Sequence, residues 1–419
     1  MKTALMMTRY IIVAATALFS LPALAQQGRN MTLKQCIEIG LTNNYGVKAA
    51  EKSVERAKAM QGSAWDLDKT ELSLAQDPTS GGSPDNALSL TQQMDFPTVY
   101  VAKGKLLKAE TQLERGKVEI TKQQLRTDIA SIYYQLVYKQ GLIGILQEQD
   151  SVIGRICSIA AKRHEAGEAS KLERLTMERK QMDNRQELLQ AKNDFATLQK
   201  QMMALMNVAE PVLPAESKLE ALNLDFSGFN FSNTVEGQLA QDKIEVADKA
   251  VTLAKNGYAP SLSVSLRNQL VISSWNPYSQ DRSKFTGGNF MGFEVGIGVP
   301  LFFGATKAKV KAAKRDREIA DLEMRQGEAQ RHQEYDVLLN KLSVARQKME
   351  YYNGDGSRQV NEMVRLAETE YENGEITYLD FANVLEESVS HSMKRASAIN
   401  DYNQVVISLL QANGEIEKL

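Results

Sequence analysis

One short stretch of this chain occurs twice in related form, each time between two long helical patterns. Glu165-Ala166-Gly167-Glu168-Ala169-Ser170-Lys171-Leu172 is matched by Glu372-Asn373-Gly374-Glu375-Ile376-Thr377-Tyr378-Leu379. Upstream, Val54-Glu55-Arg56-Ala57-Lys58 is matched by Val251-Thr252-Leu253-Ala254-Lys255, and Lys103-Gly104-Lys105-Leu106 by Lys307-Ala308-Lys309-Val310. The order of these matches implies two copies of helix, strand pair, long helix, turn and long helix, and a repeat of this size outweighs any single short motif. The halves fall at residues 26–207 and 233–419. Residues 208–232 join them, with Pro211 and Pro214 among Asn, Ser and Gly residues that predict irregular structure.

The N-terminus reads as a secretory signal over residues 1–25. Lys2 and Arg9 supply the positive start, Tyr10 to Leu21 the apolar run, and Ala23-Leu24-Ala25 the small-residue cleavage site. The mature chain is therefore expected to leave the cytoplasm. Cys36, the first cysteine, lies well inside it, which argues against a lipid anchor at the new N-terminus. No later stretch reaches the roughly twenty apolar residues of a spanning helix, so any membrane passage would be made by strands. Charge is abundant and nearly balanced, 50 Lys and Arg against 52 Asp and Glu, as long solvated helices require, and nothing predicts nucleic-acid binding. Cys36 and Cys157 read as thiols on helix faces, although a disulfide is chemically open to an exported protein.

Helical spacing of Ile37, Leu41, Val47, Val54 and Ala57 predicts a first helix from Thr32-Leu33 to about Gln61. Beyond Trp65 the period changes. Leu72 and Leu74, then Leu88, Leu90 and Met94, alternate with polar residues across the turn-forming Asp77 to Asp85. In the second half Leu262, Val264, Leu266, Leu270 and Ile272 share one parity, with Ser261, Ser263, Ser265 and Arg267 on the other. Their partner strand carries Phe293, Val295, Ile297 and Val299 against Gly292, Glu294, Gly296 and Gly298. Such strands suit either a half-buried sheet packed on helices or a transmembrane sheet with one face to lipid. The neighbouring helices are far too long for so small a sheet to cover, and Trp275 and Tyr278 could mark an interface, which favours the membrane. Four strands cannot close a barrel, and open edges are not tolerated in lipid, so several copies would have to share one.

After each strand pair comes a long helix, from about Tyr100 to Arg163 and from about Lys307 to Tyr371. At 1.5 Å per residue the first would run roughly 90 to 100 Å. Asn353-Gly354-Asp355-Gly356 predicts a break in the second. Leu172 to Leu205 and Leu379 to Leu410 return as the second arms of antiparallel hairpins. Leu379, Ala382, Leu385, Val389, Met393, Ala396, Ile399, Tyr402 and Val406 step by three and four, a coiled-coil-like seam.

No catalytic motif is present: no G-x-S-x-G, no H-E-x-x-H and no phosphate loop. His164, His332 and His391 are scattered and read as solvated helix residues. Met177, Met182, Met202, Met203 and Met206 fall among leucines and read as packing rather than copper ligands. No cofactor and no metal site is expected. The cluster Lys307, Lys309, Lys311, Lys314, Arg315 and Arg317 is either a solvated helix face or a contact for anionic headgroups.

The signal peptide, the Thr32-Leu33-Lys34-Gln35-Cys36-Ile37-Glu38 opening, Val299-Pro300-Leu301-Phe302 leading from strand to helix, and Tyr371 to Asp380 together resemble the TolC family of outer-membrane efflux ducts over essentially the whole mature length. The resemblance implies a mainly α protein with a small β part, in which long antiparallel α-hairpins form a trimeric α-barrel. Four strands per chain would enter a shared outer-membrane β-barrel of roughly twelve strands. It implies a non-enzymatic exit duct of a Gram-negative bacterium that works as a homotrimer. Its partners would be a periplasmic adaptor protein, an inner-membrane pump and outer-membrane lipid.

Carried over by position, the adaptor-docking tips fall on Ala166, Gly167 and Glu168 and on Asn373, Gly374, Glu375 and Ile376, where glycine also simply turns the chain. The aperture-lining positions fall on Asp380 and Asn383, with Glu173 at the matching place of the first half. Asp380 would form an acidic ring that concentrates cations, or be a carboxylate solvated near a helix start. A soluble periplasmic coiled-coil adaptor or scaffold is the alternative reading, and a porin would need many more strands per chain.

Overall fold

The computed structural model describes residues 28–78, 84–167, 170–224, 228–270 and 289–419. The proposed signal peptide, Glu168, Ile272, Trp275, Tyr278 and the centre of the Asp77–Asp85 connector lie outside the described residues. In order, the elements are β1 (Arg29–Met31), α1 (Leu33–Asn43), α2 (Tyr45–Met60), β2 (Glu71–Pro78), β3 (Pro84–Asp95), α3 (Pro97–Glu165), α4 (Lys171–Met206), β4 (Val212–Pro214), α5 (Val235–Lys255), β5 (Ser261–Leu270), β6 (Asn289–Gly298), α6 (Gly304–Asn353), α7 (Asp355–Glu372) and α8 (Tyr378–Ala412). The chain divides into two compact units, each drawing segments from both sequence halves.

The first unit gathers the described residues up to Lys48, Thr121–Asn230 and His332–Leu419. Its core packs Cys36 and Val47 with Ile129, Tyr133 and Leu136 of α3, Met202 and Met206 of α4, and Val406, Leu409 and Leu410 of α8. Every position of the expected α8 seam is buried or half-buried, as the spacing requires. The connector after α4 is more ordered than its composition suggests. β4 pairs in parallel with β1, and the fully buried Asn403 accepts from the Leu222 N–H at 2.9 Å and donates to the Glu220 carbonyl at 2.8 Å. Both ends of a buried amide are thereby satisfied, and the connector is held to α8.

Tyr133 locks the small parallel sheet. Its buried hydroxyl lies 2.8 Å from the Met31 carbonyl and against the Glu216 carboxylate, and accepts from the Ala215 N–H at 3.3 Å. Burial first, then the Glu216 contact, pushes this phenol well above its usual range, so it stays neutral. Cys36 and Cys157 are both free thiols, and burial together with the Glu216 charge pushes Cys36 up to about 12.

Three expectations are corrected. The first helix is two, because Asn44 is extended. Its N–H closes α1 on the Gly40 carbonyl, its Oδ1 accepts from Gly46 and Val47 at 2.7 and 3.3 Å, and its Nδ2 donates to the Leu205 carbonyl at 2.9 Å. A short amide side chain competes with the helix for backbone partners, and here it wins. His391 is not solvated: it is buried under the α6–α7 break, with Nε2 at 3.1 Å from Ser357 Oγ and 3.2 Å from the Tyr352 carbonyl. His332 stays exposed, as expected, while resting edge-on against Phe229. Met182 is exposed, unlike the buried Met177, Met202 and Met206. The break itself falls at Gly354 as expected, and Arg395 of α8 donates to Asn353 Oδ1 at 2.6 Å.

The second unit contains Ala49–Ile120 and Phe231–Arg331. Its four strands form one antiparallel sheet in the order β2, β3, β5, β6, so the two expected strand pairs are joined through β3 and β5. On α5 the Thr234 hydroxyl caps the helix by accepting from Gly237. Gly237 is obligatory, since a Cβ there would lie 2.0 Å from the Phe231 carbonyl oxygen.

Tyr133→Phe removes the hydroxyl shared by the Met31 carbonyl and the Glu216 carboxylate, leaving that carbonyl with the Ala215 N–H at 3.0 Å alone. A loss of about 1 to 3 kcal/mol is expected, read as a lower midpoint in chemical unfolding, with Tyr134→Phe as the matched control.

Candidate functional site

Within the first unit, α3 turns into α4 and α7 into α8. Both turns carry a left-handed glycine, Gly167 at φ 79° and Gly374 at φ 75°. The second turn closes as a Schellman motif: Gly374 N–H donates to the Tyr371 carbonyl at 3.1 Å and Glu375 N–H to the Glu370 carbonyl at 2.8 Å. At the first turn Ala166 and Gly167 donate to Lys162 and His164. No atom lies within 4 Å of where a Cβ would be built on either glycine. Glycine is therefore demanded by the backbone and not by crowding. Ala166, Asn373 and Glu375 are exposed and Ile376 is half-buried, so each described turn offers an open surface.

The carboxylates picked out beyond the turns have a local role. Glu173 and Asp380 sit at the third position of α4 and α8 and complete capping boxes with Ser170 and Thr377. Asp380 Oδ2 accepts from the Thr377 N–H at 3.1 Å and from its hydroxyl at 2.5 Å. The Ser-x-x-Glu and Thr-x-x-Asp spacing was the available signal for Ser170 and Thr377, which sequence reasoning passed over. Asp380 remains exposed and Glu173 half-buried.

Asn383 lies one turn further along α8 and is joined by two residues that sequence reasoning missed. Lys180 of α4 donates to Asn383 Oδ1 at 2.9 Å and pairs with the Glu386 carboxylate. Its ammonium thus ties the returning arms of the two hairpins together. Nothing in the sequence marks this, because the partners are 206 residues apart and meet only through the rotation of two separate helices. Beneath lies a small apolar cluster of Ile156, Ala160, Met177 and Ala382. The phenol of Tyr378 beside it is raised above its usual range by burial. A groove of about 630 Å³ runs along this stretch, with Lys180, Glu386 and Asn184 among its lining.

The sheet of the second unit is the other candidate feature. Cross-strand register aligns Leu72, Leu90, Leu266 and Phe293 in one row, and Glu71, Thr91, Ser265 and Glu294 in the next, on the opposite face. One face therefore collects Leu74, Leu88, Val264, Met291, Val295 and Ile297, all exposed, with Phe293 at 80%. Along Ser261–Arg267 and Gly292–Gly298 the other is polar or small. Thr91 and Ser265 hydroxyls meet at 3.0 Å, and a Cβ on Gly296 or Gly298 would lie 2.4 or 2.5 Å from Ser263 or Ser261 Oγ. Each large apolar side chain left in water forfeits about 1.5 to 3 kcal/mol. Among the described residues no further strand pairs with the outer edges of β2 and β6.

The two kinds of glycine should respond differently to a methyl group. Gly374→Ala is expected to cost only the left-handed penalty, about 1 to 2 kcal/mol. Gly237→Ala should destabilise several-fold more, because its Cβ meets backbone. Thermal unfolding followed by circular dichroism compares them.

The family model described as "Outer membrane efflux protein" matches residues 238–415. The comparison with curated proteins returned no match. Among solved structures, crystal structures of CusC align with a TM-score of 0.75 at 14% identity, covering 92% of this chain and 93% of that one. The Campylobacter jejuni CmeC outer membrane channel aligns at 0.72 and 14%, covering 91% and 85%. The outer membrane protein VceC of Vibrio cholerae aligns at 0.70 and 16%, covering 91% and 96%. Such low identities establish a shared fold, that of outer-membrane channels. Residues 238–415 thus match the outer membrane efflux protein model, and the chain shares its fold with outer-membrane channels over about nine-tenths of its length.

Proposed function

We propose that this chain is the passive exit duct of a tripartite efflux or secretion system and works as a homotrimer. The observation that carries the reading is the four-stranded sheet with one apolar face exposed and both outer edges unpaired. Lipid would cover that face, but lipid offers no hydrogen bonds to an open edge. Three copies would supply about twelve strands, enough to close a barrel, whereas one copy falls short of the roughly eight at which barrels begin. β3, β5 and β6 run 12, 10 and 10 residues, close to the length of a tilted spanning strand. The polar face, with Arg267 and Glu294, would then line the conduit. The long helices would form the periplasmic part of the conduit.

At the helix turns of the first unit, Gly167 and Gly374 with Ala166, Glu168, Asn373, Glu375 and Ile376 would receive a periplasmic adaptor, their open turns allowing close backbone approach. An inner-membrane pump would supply the energy, since a channel fold has no means of coupling to a fuel. Asp380, Asn383 and Glu173 would border the aperture, and three copies of Asp380 would bring three carboxylates around one axis. Hydrogen bonding within the capping box leaves Asp380 lone pairs free for a cation. The Lys180 tie would hold the aperture narrow, and its release would let the hairpin arms separate.

Extraction of outer membranes in mild detergent followed by detergent-subtracted mass measurement is expected to give a trimer. A soluble monomer or dimer would replace the duct with a periplasmic helical scaffold. In planar bilayers, Asp380→Asn keeps the cap but removes the charge, and block by divalent cations is expected to weaken about ten-fold; unchanged block would remove Asp380 from the aperture. Lys180→Met should raise the open probability of the channel, with the loss of a tie worth about 1 kcal/mol.

A further inference from the structure

We propose that the helical end of the sheet carries an anionic-lipid anchor, in which Lys307, Lys311 and Lys314 bind phosphatidylglycerol-type headgroups beneath an aromatic and aliphatic collar. The inference rests on the outer-membrane reading and adds the class of lipid and the residues that select it.

All four strands meet helical segments at the same end of the sheet, since β2 and β5 begin there and β3 and β6 finish there. That end is ringed by aromatic side chains. Trp65 stacks on Tyr100 with centroids 5.0 Å apart, which places an exposed indole where β2 begins and α3 starts. Tyr258, just before β5, packs against Phe303, just after β6, at 5.7 Å. The apolar parity of β6 does not stop with the strand. Phe293, Val295 and Ile297 are followed at the same parity by Val299, Leu301 and Phe303, all exposed, and Phe302 is 92% exposed. A soluble surface has no reason to continue an apolar face past the last ladder hydrogen bond, whereas amphipathic aromatics at the edge of a spanning sheet belong at headgroup level.

The cations begin directly after this collar. Lys307, Lys311 and Lys314 recur at helical spacing on one stripe of α6, all exposed. No carboxylate pairs with any of them among the described residues, while neighbouring Arg315 and Arg317 are paired with Glu318 and Asp248. No acidic residue occurs from Gly304 to Lys314, and none from Pro97 to Lys108, where Lys105 and Lys108 repeat the pattern at the start of α3. An unpaired cation in the first turn of a helix, here Lys307, opposes its dipole, and α4, α5, α7 and α8 carry a carboxylate there instead. A negatively charged surface one side-chain length below the collar would reverse that opposition. Phosphodiester headgroups at a membrane boundary are such a surface, and each lysine held close to it adds attraction.

The test uses the purified full-length protein in neutral detergent. The chain has two tryptophans, so Trp275→Phe leaves Trp65 as the only indole. Lipids brominated near the headgroup are expected to quench Trp65 more than lipids brominated near the chain end. Retained lipid is then analysed by native mass spectrometry after exchange into equimolar phosphatidylglycerol and phosphatidylcholine. About ten-fold enrichment of phosphatidylglycerol is expected, fading with added salt, and the variant Lys307→Gln/Lys311→Gln/Lys314→Gln should lose it while keeping its melting temperature. Quenching without headgroup preference, or a preference kept by the triple variant, would overturn the anchor and leave the outer-membrane reading intact. So would a triple variant that binds lipid like the parent but changes the anion selectivity of the channel, which would place the stripe on the conduit. Absence of quenching by any lipid, in a protein that stays dispersed without detergent, would overturn both.

Discussion

The rest of the molecule depends on unpaired backbone groups along two strand edges. A sheet of four strands leaves the outer N–H and C=O groups of β2 and β6 without partners in the single chain. In water such edges invite pairing, and in lipid they are intolerable. The apolar face decides which solvent applies: residues such as Phe293 and Ile297 are unprotected while the opposite face carries Ser, Thr, Arg and Glu. This combination has one economical resolution, closure with other copies, and the need for a shared sheet follows from the edges before any helix is considered.

Long helices raise a parallel difficulty. A helix such as α3, 69 residues long, cannot be stabilised by propensity alone and must bury a stripe along its length. In the first unit the stripe is found: Leu125, Ile129, Tyr133 and Leu136 face the last turns of α8 and α4, while the connector is clamped by Asn403 and Tyr133. Yet Leu172, Leu175, Leu189, Val337 and Val344 stay exposed in the single chain. Helices with apolar residues on more than one side are built for more than one neighbour.

Much of this was legible in the sequence. Strand parity gave both faces of the sheet, the uninterrupted stretch from about Tyr100 to Arg163 gave the continuous α3, and Gly354 gave the break in α6–α7, because each depends on a local period or a local breaker. Asn44 was missed because an asparagine that ends one helix and starts the next has no periodicity of its own. His391 was misread because its burial is set by a helix break elsewhere in the chain. At the site, the turn glycines were readable from their αL requirement, and the capping boxes could have been read from spacing. Lys180 could not, since its meeting with Asn383 and Glu386 is fixed by the phase of two helices and not by either sequence alone.

Within the first unit, cohesion is unevenly distributed along the hairpins. The large core around Tyr133, Met206 and Leu410 contains many fully buried side chains, whereas the cluster near the turns amounts to Ile156, Ala160, Met177 and Ala382. Burial of each large side chain contributes about 1.5 to 3 kcal/mol, so separation near the turns costs far less than separation at the core. Beside the Tyr371 ring stacked on Phe381 within the second hairpin, the ties near the turns are polar: Lys180 to Asn383 and Glu386, and Arg185 to Asp150 at 3.2 Å. Partly exposed charge pairs of this kind are worth about 1 kcal/mol or less each and can be exchanged for water or for a partner's groups. The end of the molecule proposed to open is thus the end held by exchangeable contacts, while the Schellman and capping-box bonds keep each turn intact as its helices part. A gate with those properties can move as rigid hairpin arms without unfolding any helix.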